Sequence, residues 1–563
     1  MAPRDPAVAR TGTAAGTVGL DRGTLTTTRL FGATSEALRS RSLSRLGMAA
    51  LAFALLSGLV THGYHLFHYP LYSTDEGIYV ERSWAVIRED RLSPLTYYYD
   101  HVPGGWLLLA VWEFLLPGHF QTFGNPVNTG RVLMLLIHLA SVFLLFEIAR
   151  KLSGGGLLAP TIATFLFNFS PLAIYYQRMV LLDNMMVFWV LLSIYLLLRR
   201  RSRLFSALWS GLALSIAVVT KENAIFFVPT VFYLVSRLAK GDPSRRFVIT
   251  LWLLAFGAPV SAYFLYATLK GELLPPQIDF SLTHQPQGHV SLLYELWFQI
   301  HRNQGTLFSH SSFLYTEWLP KDRYLLAGGT AAMLISLYLG WRDKERNLNF
   351  IVAGTLAVEI AFYLARGSVI LDFYVIPLIP LYALCIGLVA DRALKAFPAR
   401  AARFAGTVVP ALAAALLLLP SGGYLLTHDP RTGVLKTNDV YYLPQTYLQQ
   451  EQIAWIRGHI PPTARIIIDD SIWVALHEGR PSYPYAQSHF DAASDPAVRN
   501  KIFGGNWQNI DYIVLANGQK QAMILNNTGG QENYILNALD NHSALVWQAS
   551  RGNVHLYIYK VQN

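Results

Sequence analysis

Ser73-Thr74-Asp75-Glu76-Gly77-Ile78-Tyr79-Val80-Glu81-Arg82-Ser83-Trp84 stands near the head of a polar, aromatic stretch that runs from Tyr69 to Trp106 and closes on Tyr99-Asp100-His101-Val102-Pro103. Apolar runs lie on both sides of it. Charge near hydrocarbon is costly, by roughly 2.5 to 3.5 kcal/mol per group at the bilayer centre, so two adjacent carboxylates beside the first apolar run mark a place where charge is kept for use. Ser73 and Glu76 have capping-box spacing, which reads Glu76 equally well as the closure of a helix over 75–88. Capping leaves Asp75 unexplained. On such a helix Asp75, Tyr79 and Arg82 fall on one face, whereas Val80, Trp84 and Ile87 fall on another.

Working outward, apolar runs long enough to cross a bilayer recur between residues 46 and 427. Hydrophobic residues make up 53% of the chain and charged ones 14%, too little charge to cover a soluble fold of this size. The chain is predicted to be a multi-pass α-helical membrane protein. Spans are expected near 46–68, 131–149, 157–173, 184–198, 204–219, 223–239, 247–269, 324–341, 348–365, 369–390 and 404–427, about eleven in all. Trp106 to Phe120 is apolar too, but counting it as a crossing would put the following basic loops on the wrong side, so it reads as a juxtamembrane helix. The net charge of +10 does not point to nucleic acid, because the basic residues cluster in short loops between apolar runs. Arg39 to Arg45, Arg150-Lys151, Arg199 to Arg203, Arg237 to Arg246, Arg342 to Arg346 and Arg392 to Arg403 orient the chain with those loops in the cytoplasm. A single cysteine, Cys385, offers no disulfide framework.

Three regions follow. Residues 1–38 read as a disordered cytoplasmic tail. Residues 39–427 form the membrane part, with outer loops at 69–130 and 270–323. Residues 428–563 read as a soluble extracytoplasmic α/β domain, with helical periodicity over 445–459 and strand-like runs at 465–469, 512–515, 544–548 and 554–559. The protein is thus expected in the plasma (inner) membrane with its polar cluster and C-terminal domain outside.

On this topology Asp75, Glu76, His101, Arg178, Asp183, Lys221 and Arg366 all fall at outer ends of spans or in outer loops. A shared outer cavity accounts for them together. Each has a plainer reading: Asp183 as an ordinary N-cap, Lys221-Glu222 as a solvated pair, Arg366 and Arg178 as cations snorkelling to the interface.

Pro70-Leu-Tyr-Ser-Thr-Asp75-Glu76-Gly-Ile-Tyr79-Val-Glu81, Asp100-His101-Val-Pro103, Val180-Leu-Leu-Asp183-Asn184, Thr220-Lys221-Glu222, and Ala365-Arg366-Gly367 ahead of Tyr374-Val-Ile-Pro377-Leu-Ile-Pro380 resemble, in order, the motifs of the GT-C glycosyltransferases. The protein O-mannosyltransferases and lipid A aminoarabinose transferases are the most similar groups. The resemblance implies a polyprenyl-phosphate sugar donor and transfer to a lipid, polysaccharide or protein acceptor on the outer face, in one inverting displacement. It makes Asp75 the catalytic residue, with Glu76 and Asp183 as further carboxylates. Lys221, Arg366, Arg178 and His101 would bind the donor phosphate, and Tyr79 and Arg82 the substrate. The aminoarabinose group carries lysine at the position of His101, and proline is common there at the position of Asn184.

The residues themselves argue for the same chemistry. Loss of a polyprenyl phosphate builds negative charge that arginine and lysine stabilise without a metal, and an attacking hydroxyl needs a nearby carboxylate. No metal is required on this reading, although Mg or Mn held by Asp75, Glu76 and Asp183 is an alternative. His284, His289, His301 and His310 match no compact ligand motif. A transporter or flippase of lipid-linked sugar is the competing class, disfavoured by the lack of an internal repeat.

Overall fold

A capping box starts the helix that carries the carboxylates: the Ser73 hydroxyl accepts the Glu76 N–H, and the Glu76 carboxylate accepts the Ser73 N–H. The computed structural model describes residues 44–94, 101–199, 202–274, 291–301, 307–309, 312–342, 348–365, 371–396, 446–516, 518–526, 530, 532–551 and 554–562. The expected tail 1–38, the expected last span 404–427 and Arg366 lie outside them.

The membrane part comprises α1 (Arg45–Gly63), α2 (Thr74–Arg88), α3 (Gly104–Leu115), α4 (Pro126–Leu152), α5 (Leu158–Phe169), α6 (Leu182–Arg199), α7 (Arg203–Thr220), α8 (Val228–Leu238), α9 (Arg245–Leu269), α10 (Leu319–Arg342), α11 (Leu348–Ala365) and α12 (Leu378–Lys395), with a short helix at Leu292–His301 before α10. Seven segments among the described residues are long and apolar enough to cross a membrane: α1, α4, α6, α7, α9, Leu314–Arg342 and Asp372–Lys395. Of the other expected spans, those within the described residues, 157–173, 223–239 and 348–365, are helical but short. Ser170 and Pro171 end α5 and start a separate turn of helix, and the extended Lys221 is followed by a 3-10 turn, Glu222–Phe227, so that 223–239 is α-helical only from Val228. Asp322 kinks the start of α10 with non-helical backbone angles and re-caps it by accepting the Leu325 N–H.

α3, the expected juxtamembrane helix, packs flush on the bundle. A Cβ at Gly104 would meet the Val219 carbonyl oxygen at 2.5 Å, and one at Gly105 the Leu182 side chain at 2.2 Å. These glycines let α3 touch the start of α6 and the end of α7. α4 begins on an Asn125 cap with Pro126 in its first turn, where a missing N–H costs nothing.

The C-terminal region opens with α13 (Tyr447–His459) and folds around five strands, β1 (Ile466–Ile468), β2 (Ala486–Ser488), β3 (Tyr512–Ala516), β4 (Ser543–Arg551) and β5 (Val554–Val561). Their order is β2-β1-β3-β5-β4, with β2, β1 and β3 parallel and β3, β5 and β4 antiparallel. The sheet is the expected α/β element, and β2 is the strand that three residues of sequence did not reveal. β1 is buried on both faces, as a central parallel strand requires.

This region clasps α2. Gln449 of α13 exchanges hydrogen bonds with the Tyr72 backbone at 3.0 and 2.9 Å, and Thr74 donates to Asp469 at 2.9 Å. Further along, Glu478 accepts from Trp84 at 2.6 Å and from Arg88 at 2.7 and 2.9 Å. Gly77 makes the approach possible, since a Cβ there would lie 2.2 Å from the Asp470 backbone.

Candidate active site

Helix geometry sends the two adjacent carboxylates in different directions. Glu76 is fully buried and committed: it accepts from Arg131 at 2.8 and 2.7 Å, from the Val180 N–H at 2.9 Å and from its own cap at 3.1 Å. Arg131 in turn donates to the carbonyls of Pro70, Leu71 and Leu66 and lies over the Tyr72 ring. Glu76 therefore joins α2, α4 and the loop before α6.

Asp75 is only partly buried and accepts no hydrogen bond among the described residues. Burial nevertheless pushes its carboxyl up to about 6, opposed by Lys221 and His101 and reinforced by Asp372 and Asp183. Those four groups are thus its electrostatic surroundings. Tyr79, one turn along the same face, shares them: its ring is buried, its hydroxyl has no hydrogen-bond partner among the described residues, and Lys221, Asp75 and Asp183 act on it.

Behind Asp75, Lys221 donates to Asp183 Oδ2 at 2.6 Å, and both side chains are inaccessible to solvent. The ammonium lies 4.9 Å from the Phe373 ring centre and 4.6 Å from that of Tyr374. The helix break at residue 221 is what turns this lysine inward from the end of α7. His101 faces Glu222 at 3.2 Å and lies 6.1 Å from the Tyr79 ring. Asn184, where proline is common in the aminoarabinose group, donates to the Tyr176 and Met179 carbonyls at 2.9 Å and so braces the loop that precedes α6.

The remaining expected residues are placed elsewhere or outside the described chain. Arg178 is fully buried, donates to the Thr61 carbonyl and lies over the Tyr69 ring, where it acts on His62 and His138. Arg82 sits over Trp106 at 4.9 Å and within range of Glu81 and Asp491. Two residues that the sequence reading passed over join the site from α10 and the segment before α12. Asp372 accepts from Tyr176 at 3.1 Å, and Lys321, paired with Glu317 and lying over Tyr175, is in electrostatic range of Asp372. A Lys321-Asp322 pair abutting an apolar run was the available signal.

Residues 109–255 match the family described as dolichyl-phosphate-mannose-protein mannosyltransferase. No curated protein matches the chain significantly. Among solved structures, the chain is similar to ArnT from Cupriavidus metallidurans bound to undecaprenyl phosphate, at 15% identity and a TM-score of 0.54, over 91% of this chain and 98% of that one. It is also similar to the oligosaccharyltransferase AglB from Archaeoglobus fulgidus in complex with an inhibitory peptide and a dolichol-phosphate, at 13% identity and a TM-score of 0.51, over 91% of this chain and 74% of that one. With its twelve helices α1–α12 and the C-terminal sheet that clasps α2, the described part of the chain shares the fold of these GT-C membrane glycosyltransferase structures.

Proposed function

We propose that this protein is a glycosyltransferase that moves a monosaccharide from a polyprenyl phosphate to an acceptor on the extracytoplasmic side, in one inverting displacement. The observation that carries the reading is Asp75. It is a half-open carboxylate that no hydrogen bond among the described residues consumes, and it stands beside a buried Lys221–Asp183 pair at the end of a GT-C bundle. A carboxyl raised to about 6 is ionised at neutral pH yet basic enough to take a proton from an attacking hydroxyl or amine.

Burial divides the other roles. The Lys221 ammonium is fully enclosed, so it acts on Asp75 through space and holds Asp183; it is a positioning residue. Glu76 and Arg178 are likewise fully buried and serve as architecture. The leaving phosphate is then assigned to His101, whose imidazole retains some exposure, and to Arg366. Cationic side chains suffice for that charge, and no metal step is needed.

The test is release of polyprenyl phosphate from polyprenyl-phosphate sugars by purified protein in detergent, with acceptors supplied. Release by wild type, reduced about 10²- to 10⁴-fold in Asp75→Asn, the usual contribution of a general base, is the expected result. A transporter would release nothing without a sealed compartment, and that outcome would end the enzyme reading.

A further inference from the structure

Glu81 leaves α2 on a different face from Asp75, toward the C-terminal region, and is 2% exposed. One of its oxygens, Oε1, accepts no hydrogen bond among the described residues. Two further buried carboxylates face it from that region: Asp470, in the turn after β1, and Asp491, in the helix His489–Ser494 after β2. One oxygen from each of the three lies within 4.8 Å of the others.

Three buried carboxylates share few cations among the described residues. Arg82 acts on Glu81 and Asp491 and lies over the ring of Trp106. Glu89, Asp469 and Asp495 add negative potential, and His489 faces Asp491 while lying 3.6 Å from Glu532. The Ser488 hydroxyl donates to Asp491 at 2.6 Å and the Asp470 backbone N–H serves its own carboxyl, while Oε1 of Glu81 is left without a hydrogen bond among the described residues. Buried carboxylates are stable when paired or when they coordinate a metal.

We propose that Glu81, Asp470 and Asp491 bind a calcium-sized divalent cation that fastens the C-terminal region to the helix carrying Asp75. Oxygens bound to one Ca²⁺ at about 2.4 Å lie at most about 4.8 Å apart, a limit that the three oxygens of this triad meet, and an all-oxygen donor set suits a hard cation. Two ligands come from one region and the third from α2, so the ion closes the same interface as the Trp84, Arg88 and Thr74 contacts. Its role is to hold α2 in place; it takes no part in sugar transfer.

The experiment is equilibrium dialysis of ⁴⁵Ca²⁺ against full-length protein in detergent after chelator treatment, with thermal unfolding followed in parallel. Wild type is expected to bind one ion per chain, with an unfolding temperature that rises on adding Ca²⁺. Glu81→Gln and Asp491→Asn should each weaken binding at least tenfold and abolish that rise, while Asp75→Asn should bind as wild type does. Asp491→Asn decides the matter if Glu81→Gln does not fold. Absence of binding by folded wild type, or binding that survives both substitutions or is lost in Asp75→Asn, would overturn the assignment.

Discussion

Glu76–Arg131 and Asp183–Lys221 are both ion pairs with no solvent exposure, and they differ in how completely their hydrogen bonds are filled. In the first, both carboxylate oxygens and the arginine fork are used, the latter also against three backbone carbonyls. In the second there is one contact, Asp183 Oδ1 has no hydrogen-bond partner among the described residues, and aromatic faces flank the ammonium. A buried charge pair repays its desolvation only when its remaining valences are met. The full pair builds the scaffold, and the underfilled one keeps electrostatic influence over Asp75.

Breaking the full pair should have the largest effect on folding. Glu76→Gln is expected to cost about 3–5 kcal/mol, because it leaves a buried guanidinium without its counter-charge. Adding Arg131→Met should not restore stability, since the Pro70 and Leu71 carbonyls lose their donor. Denaturant or thermal unfolding of the two variants measures this, and recovery in the double variant would erase the contrast between the pairs.

The underfilled pair should behave in the opposite way. Asp183→Asn alone leaves a buried ammonium and should destabilise, but Asp183→Asn with Lys221→Met removes both charges and should return stability to within about 1.5 kcal/mol of wild type. Activity should not return, and a loss of at least tenfold is expected through Asp75. A double variant that is both stable and fully active would show that this pair, too, is only scaffold.

A smaller effect sharpens the link between the pair and Asp75. The acid limb of the pH–rate profile should lie near pH 6, because a general base must be ionised and this carboxyl is raised to about 6. Lys221 lowers it more strongly than Asp183 raises it, so the limb should move upward in the double variant. The same shift bears on stability. The folded carboxyl holds its proton more tightly than the unfolded one, which titrates near 3.8, so its contribution is fully present below that value and is lost as pH rises through about 6. Asp75→Asn should therefore raise the unfolding temperature above pH 6 while lowering activity about 10²- to 10⁴-fold.

What the sequence disclosed follows the range of the interactions. The capping box is local, so one role of Glu76 was legible, and the 3.6-residue period placed Tyr79 beside Asp75. The Arg131 partner was not, because it lies 55 residues away in a helix whose hydropathy gave no reason to single it out. Lys221 and Asp183 were each visible as charges at helix ends, but a contact across 38 residues depends on the packing of α6 and α7. Spans were readable from apolar length, yet α5 and α8 are shorter than expected because Pro171 breaks the first and a 3-10 turn over Glu222–Phe227 delays the second. The Glu81, Asp470 and Asp491 triad was hidden for the same reason as the pairs: only the clasp between α2 and β1 brings it together. Arg82, assigned from helical phase to the face of Asp75, was drawn over Trp106, since a guanidinium and an indole attract at close range.

The smallest effect belongs to a pair at the surface. Lys520 and Asp540 are joined, but their side chains are 50% and 43% exposed. Water screens such a pair, and holding two mobile side chains together costs entropy, so Lys520→Ala should change unfolding stability by less than about 1 kcal/mol and leave transfer unchanged. The three pairs then form a series in which proximity of opposite charges is constant and consequence is not. Burial with full hydrogen bonding is expected to yield stability, burial with an open valence leaves the pair acting through space on a partly buried aspartate, and exposure yields neither. A loss in Lys520→Ala as large as that in Glu76→Gln would show that burial is not the variable that ranks them.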